Sequence, residues 1–532
     1  MYKKLHKPHK FNDFKEIVYR GAEVFSSKVA FCLENKNITY KELKIQFCNL
    51  CSQMLDLGLL GKRIAVIGKN SYEWALHYLS AATVGTVVPI DKELSVEDIS
   101  SFIKSADCSA VFADSAIAEK LKAVFPKIHI ADLTEEIKSY DDFKRVDDIE
   151  VDRENMTILI FTSGTTNSSK GVCLSQKNIC ENIYSTCQIV KATSKDRTLS
   201  ILPLHHTYEG TLNFLLMLSR GACISYATSL SKIKTDIEKA SPTFLIVVPA
   251  ILKVLNKRIS STLKKSAPKM IKPLFEQYPI HEALSKTPFL LRAIIRKKVK
   301  AQLGGKIHTF IVGAASLEPE YVKNFTALGI RTLQGYGLTE CSPLLAGNSD
   351  FYFNDQSTGI AIPGVELKID EPNEDGEGEI LARGKNIMLG YFNDEEATKK
   401  VFKDGWFKTG DLGKMDPDGA LYIIGRVKNV IVTSNGKNIY PEELEERLQI
   451  DDFVKECIVF GYNDNGNTKV KAKIYNDSDI SLEKKTAKAK EIIKNLNATL
   501  PKYKYIDFFD VIEVPLEKTT TQKAKRYGIN VQ

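Results

Sequence analysis

The sequence predicts an α/β fold spread over at least two domains, and three observations predict it. Its 532 residues exceed what one ordinary hydrophobic core organises. Short apolar runs alternate with helical patterns through the first half, the signature of parallel sheets crossed by helices. From about residue 355 the texture changes to short strands broken by Gly- and Asp-rich turns, and beyond Gly425 a shorter segment carries apolar elements of its own.

Taken in order, RIAVIG at 63–68 reads as a buried strand, YEWALHYLSAATVG as the helix after it, and TVVPI as the next strand. The same alternation recurs at TILIFTSG, TLSILPL, ACISYA and TFLIVVP. Between 355 and 425, GEGEILARG, WFKTGDLG and GALYIIG predict a β-rich subdomain. The boundary is drawn at 425, with residues 426–532 as a small α+β domain: NVIVTS, a helix from Pro441, ECIVFGY, KVKAKIY, a Lys-rich helix and FFDVIEV.

Composition excludes little. Hydrophobic residues at 43% and charged residues at 26% are ordinary for a globular protein. The net charge of +8 fits an anionic small molecule, a membrane surface or nucleic acid. No basic block is interleaved with aromatics, so nucleic acid is not expected. The stretch 256–306 is basic and helical in pattern; a solvated helix face and a peripheral membrane contact are its two readings. Cys48 and Cys51 form a lone CxxC within YKELKIQFCNLCSQML, and buried thiols are expected there rather than zinc. Ten scattered cysteines suit a reducing compartment, and the basic start lacks a leader's apolar run. No apolar stretch reaches the roughly 20 residues that span a bilayer. A cytoplasmic protein is the expectation, with the inner membrane face open as a peripheral location.

The chemistry concentrates in a few motifs. TSGTTNSSKG at 162–171 follows the strand TILIF, and its small hydroxyl residues and glycine let backbone N–H groups approach phosphate oxygens while Lys170 brings a positive charge. It is not GxxxxGK[ST], since five residues separate Gly164 from Lys170 and Gly171 follows the lysine. YGLTE at 336–340 sets an aromatic, a hydroxyl and a carboxylate together. Tyr336 suits stacking on a purine, Thr339 a phosphate, and Glu340 the oxygen ligation of Mg²⁺. In KTGDLG at 408–413, Asp411 suits the hydroxyls of a ribose. GRVKNVIV (425–432) and KTTTQKAKR (518–526) follow.

These motifs, in this order and spacing over residues 38–527, resemble the adenylate-forming (AMP-binding) superfamily of acyl-CoA synthetases, non-ribosomal adenylation domains and luciferases. Within it the sequence looks most like bacterial long-chain fatty acyl-CoA synthetases, on PLHHTYEGT (203–211), the basic helical stretch before GGKIHTFIVGAASL, and SNGKNIYPEELE (434–445). The resemblance implies a large N-terminal domain of two α/β sheets plus a β-barrel subdomain, and a small mobile α+β C-terminal domain. It implies ATP, Mg²⁺ and coenzyme A as cosubstrates of a carboxylic acid.

Residue by residue, Thr162, Ser163, Gly164, Thr165, Thr166 and Lys170 would handle the β- and γ-phosphates. Gly313, Ala314 and Ala315 would line the adenine site, with Tyr336 stacked on it beside Gly337. Thr339 and Glu340 would meet the α-phosphate and Mg²⁺, and Asp411 and Arg426 the ribose. His206, Tyr208, Val248, Gly335 and Gly337 would border the acyl substrate. Lys523 matches the C-terminal catalytic lysine, and Lys428 falls at the hinge. Two departures stand out: Asn167 and Ser169 replace the usual Gly and Pro of the phosphate loop, and Gln522 replaces a common Gly before Lys523. Neither removes a reacting group.

The chemistry expected is attack of a carboxylate on the α-phosphorus of ATP, giving an acyl-adenylate and pyrophosphate, then transfer of the acyl group to a thiol. Two anions must meet in the first step, so Lys170, Lys523, Mg²⁺ and backbone N–H groups are expected to neutralise charge. A fatty acyl-CoA synthetase is the leading reading. A stand-alone enzyme loading a carrier protein, an enzyme of aryl or short-chain acids, and a non-catalytic nucleotide sensor or membrane-associated binding protein that keeps the fold are the alternatives.

Overall fold

A computed structural model describes residues 2, 4–162, 169–315, 317–433, 437–464, 467–518, 524 and 526. By compactness the chain forms two units. The first comprises residues 1–367, 382–407 and 417–420; the second, 368–381, 408–416 and 421–532. The strand residues 408–416 fall in the second unit because they pair there, Asp411 lying opposite Arg426 and Leu412 opposite Gly425.

Two sheets organise the first unit. One has seven strands in the order Gly390–Tyr391, Gly171–Leu174, Ile158–Phe161, Thr86–Ile90, Arg63–Ile67, Ala110–Ala113 and His129–Asp132. Its pairings are parallel from Ile158–Phe161 onward, and the first two are antiparallel. The other has nine, in the order Ile360–Ala361, Leu344–Gly347, Arg331–Gly337, Thr309–Val312, Phe244–Val247, Arg197–Ser200, Cys223–Tyr226, Val29–Cys32 and Asn37–Thr39. The near-continuous apolar runs are strands covered on both faces, as parallel sheets require. The segment ALHYLSAATVGTVVPI divides as its Gly85 predicts, into the helix Tyr72–Val84 and the strand Thr86–Ile90.

Helix starts follow from local chemistry. Thr39 and Glu42 form a capping box before Tyr40–Asp56, and Ser175 and Asn178 do the same before Gln176–Ile189. The basic stretch forms the helices Pro249–Ser266, Lys272–Gln277, Ile280–Ser285 and Phe289–Gln302. Leu252, Leu255, Ile259 and Leu263 of the first helix and Ile295 and Val299 of the last join the core around Phe310, Val312 and Phe325. One face of this segment is therefore fixed by burial.

The second unit has its own core, with Leu444, Leu448, Val459, Ala472, Ile474 and Ala489 packed together. Its three-stranded sheet is Glu456–Asp464, Asn467–Tyr475 and Phe508–Ile512, matching the runs ECIVFGY, KVKAKIY and FFDVIEV. None of the ten cysteines is in a disulfide, and eight are buried, Cys48 and Cys51 among them. Cys457 alone lies in the second unit. Among the described residues no helix is long and apolar enough to cross a membrane.

Candidate active site

The phosphate-loop motif sits on the hairpin Ile158–Phe161 to Gly171–Leu174. Thr162 and Lys170 close its neck: the Thr162 amide donates to the Lys170 carbonyl at 3.0 Å, and the Lys170 amide donates to Thr162 Oγ1 at 3.4 Å. Ser163, Gly164, Thr165, Thr166 and the departing Asn167 lie outside the described residues. From this neck the Lys170 ammonium stands 4.3 Å from the centre of the Tyr391 ring. The Tyr391 hydroxyl in turn donates to Glu340 Oε1 at 3.1 Å. One aromatic side chain thus joins the two charged groups expected to act on the triphosphate. Burial, then the Glu340 carboxylate, pushes the Tyr391 phenol up, so it stays a hydrogen-bond donor.

Tyr391 is held by a two-residue strand, paired with Val172 beside the loop. Glu340 is held from several sides. Its carbonyl accepts the Met388 amide at 2.7 Å. The next carbonyl, that of Cys341, accepts from Asn386 Nδ2 at 2.9 Å, and Asn182 and Asn386 both donate to the Leu344 carbonyl. These buried amides fix the turn that carries Thr339 and Glu340.

Gly337 is where this turn needs glycine. A Cβ there would fall 2.0 Å from the Pro343 carbonyl oxygen, a backbone atom that cannot swing aside. Tyr336, opposite Ala346, is buried in the same hairpin.

The expected adenine segment follows the strand Thr309–Val312. Ala314 takes a left-handed φ of 72°, and Ala315 is exposed. Gly313 meets Tyr208: a Cβ would lie 3.1 Å from Tyr208 Cζ. The Tyr208 hydroxyl lies 3.2 Å from the Val247 carbonyl and 3.1 Å from that of Ile311, its single proton shared between two neighbouring strands. Tyr208 therefore lies against the expected adenine segment. His206 packs against His205 with ring centres 4.4 Å apart and planes tilted by 41°, and burial lowers the His205 imidazole to about 4. Val248 is buried at the start of Pro249–Ser266.

An apolar cavity lies beside the Tyr336 hairpin. Ile189, Leu212, Leu216, Met217, Phe244 and Leu333 are part of its wall, Gly335 and Leu344 border it, and no charged side chain lines it. Of the acyl residues expected, Gly335 lines this cavity; His206, Tyr208, Val248 and Gly337 are not in its wall. Leu212 reaches it from a π-helix, Gly210–Leu215, that no periodicity announces. Just before that turn, Glu209 is fully buried, with Oε1 accepting from Asn213 Nδ2 at 2.6 Å. Burial pushes its carboxyl up to about 8.

In the second unit, Asp411 is buried and pairs with Arg426, Nε to Oδ1 at 2.6 Å. The Thr409 hydroxyl accepts the Asp411 amide. The two residues expected at a ribose thus already hold each other. Lys428 is exposed in the short turn Val427–Asn429. Lys523 and Gln522 lie outside the described residues. Among the described residues no three of His, Cys, Asp or Glu converge as a metal cage. Glu340 as a lone carboxylate fits Mg²⁺, which takes most of its ligands from phosphates and water.

The fold is shared with solved adenylate-forming enzymes. It is similar to o-succinylbenzoate CoA synthetase (MenE) from Bacillus subtilis in complex with its acyl-adenylate, at a TM-score of 0.77, 22% identity, and 97% of this chain against 98% of that one. It is also similar to the anthranilate CoA ligase AuaEII with anthranoyl-AMP, at a TM-score of 0.76, 19% identity, and 98% against 97%. In sequence it is similar to long-chain-fatty-acid–CoA ligase FadD15 of Mycobacterium tuberculosis, 28% identical over 463 residues, 80% of this chain and 75% of that protein. Long-chain-fatty-acid–CoA ligase 5 of Rattus norvegicus is 27% identical over 492 residues, 84% against 68%. The model described as AMP-binding enzyme matches residues 18–392, and that of the AMP-binding enzyme C-terminal domain matches 428–529.

Fold and site together define an adenylate-forming enzyme. The chain belongs to the AMP-binding enzyme family. It is an AMP-forming acid–thiol ligase, which works with ATP, Mg²⁺ and coenzyme A.

Proposed function

We propose that the acid is a medium- or long-chain fatty acid, and that the acyl group goes from AMP to coenzyme A. The cavity beside Gly335 carries this reading. Its wall is mainly apolar, with Thr186, Gln334 and Asn348 its polar members and no charged side chain, so it suits a hydrocarbon chain whose carboxylate stays at the polar Tyr336–Glu340 end. Each buried methylene is worth about 0.8 kcal/mol, so the preference should climb several-fold per carbon until the cavity is full. The likeness to ligases named for long-chain fatty acids supports the same choice.

In this reading, Thr162, Ser163, Gly164, Thr165, Thr166 and Lys170 hold the outer phosphates, and Tyr336 with Gly313–Ala315 the adenine. Asp411 and Arg426 bind the ribose, Thr339 meets the α-phosphate, and Glu340 holds Mg²⁺, which supplies neutralising charge when bound. Lys523 offsets the negative charge as a carboxylate oxygen bonds to the α-phosphorus and the bond to pyrophosphate breaks. The coenzyme A thiolate then bonds to the acyl carbon and AMP leaves. Lys523 has no part in that second step. Residues 1–425 and 426–532 therefore act as two bodies turning about Lys428, so that the lysine withdraws.

The test is pyrophosphate release across a panel of acids, followed by thioester formation with coenzyme A or with a carrier protein. Turnover per KM should rise with chain length and the thioester should need only coenzyme A. A preference for aromatic acids would overturn the substrate, and transfer to carrier protein alone would overturn the acceptor.

A further inference from the structure

We infer that the helical segment 253–300 is a docking surface for an anionic lipid bilayer. Its charge sets it apart. It holds thirteen Lys and Arg against two acidic residues, Glu276 and Glu282, a surplus larger than the whole chain's net +8. The rest of the molecule is therefore slightly acidic, and the positive field originates here.

Several of these cations are already engaged. Lys253 pairs with Glu318 at 2.8 Å, Arg292 donates to the Ser285 and Thr287 carbonyls, and Arg296 to that of Ala327. Among the described residues, Arg258, Lys264, Lys265, Lys269, Lys297 and Lys298 have no ion-pair partner and stand exposed. They flank a second feature that solvated helix faces lack. Met270 is 71% exposed, Phe289 76%, Leu290 74% and Ile294 50%. Leu290, Ile294 and Lys298 follow one another at four-residue spacing on one face of Phe289–Gln302, and Ile294 and Lys298 border a groove shared with Leu263 and Pro268.

The inner faces of these helices are in the core, so the exposed apolar groups are not misplaced core residues. Met270, in the turn after Pro249–Ser266, and Phe289 and Leu290, in the first turn of Phe289–Gln302, lie outside the groove that Ile294 borders. Exposed apolar groups on the same helical segment as unpaired cations fit a bilayer, where the side chains enter the acyl boundary and the cations meet lipid phosphates. A nucleic acid would use the cations and leave the apolar groups in water. The inference holds whichever acid the enzyme takes.

Flotation of the full-length protein with lipid vesicles, without acid or nucleotide, tests it. The protein should float with vesicles of equimolar phosphatidylcholine and phosphatidylglycerol, stay behind with phosphatidylcholine alone, and be released by raised salt. Combining Lys264→Glu, Lys265→Glu, Lys297→Glu and Lys298→Glu should lower partitioning on the order of a hundredfold or more. Phe289→Ser with Leu290→Ser should lower it about tenfold. Both variants alter exposed positions only and should keep wild-type pyrophosphate release with a water-soluble acid. Equal flotation with neutral vesicles, or wild-type flotation of either variant, would overturn the proposal. So would an absence of flotation, whether or not an acidic protein binds the wild type and not the charge variant.

Discussion

Tyr391 is the residue on which two charged groups of the candidate site, Lys170 and Glu340, meet. Its ring faces Lys170 and its hydroxyl bonds Glu340, so Tyr391→Phe separates the two contacts. The variant keeps the cation–π contact and loses a hydrogen bond to a charged group, worth about 1.5 kcal/mol. Adenylate formation should fall on the order of tenfold, with the Mg²⁺ requirement rising and Tm nearly unchanged. A wild-type Mg²⁺ titration would show that the hydroxyl does not position Glu340. Gly337→Ala acts through the backbone instead. With its Cβ 2.0 Å from the Pro343 oxygen, the turn must open, and a loss of several kcal/mol in unfolding free energy is expected; denaturation midpoints equal to the wild type would refute the crowding. Lys170, Glu340 and Asp411 stand out in the sequence as candidates because their motifs hold chemistry in a short span. Tyr391 does not, because a two-residue strand has no period and its partners lie 221 and 51 residues away along the chain.

At the scale of elements, runs such as RIAVIG, ACISYA and TFLIVVP foretold strands because burial on both faces leaves a continuous apolar signature; they are Arg63–Ile67, Cys223–Tyr226 and Phe244–Val247. Strand order was not foretold, since pairing is set by packing across distant segments. The π-helix Gly210–Leu215 was also invisible, as one added residue per turn leaves no mark on hydrophobic spacing. Glu209, at the entry to that turn, makes the element testable. Its carboxyl is raised from 4.5 to about 8 by burial. Between those values the folded protein holds a proton that the unfolded chain has lost. The stability from this group is thus complete below about pH 4.5 and is lost as pH rises through about 8. Glu209→Gln should flatten the fall of Tm across that window by several degrees, and a slope equal to the wild type would show that Glu209 is ionised in the fold.

For the whole molecule, two compact units and a chemistry of two steps pose one question: whether a change at the junction separates those steps. Proline at 428 would fix φ near about −65° and remove a backbone donor. Lys428→Pro should keep acid-dependent pyrophosphate release and lose most thioester formation, while Lys428→Ala keeps both. Lys523→Ala should do the reverse, losing adenylation by about 10²-fold and sparing thioester formation from supplied acyl-adenylate. Parallel losses in both half-reactions would refute the division. The distribution of sulfur allows the units to be timed without any mutation. Nine cysteines lie in the first unit and Cys457 alone in the second, and buried thiols react only when the structure around them opens. In a dilute alkylating reagent, the peptide containing Cys457 should gain mass at its own rate, distinct from that of Cys51 or Cys187. Adding ATP should slow each clock by the protection it gives that unit. A single shared rate would mean that the two units melt as one.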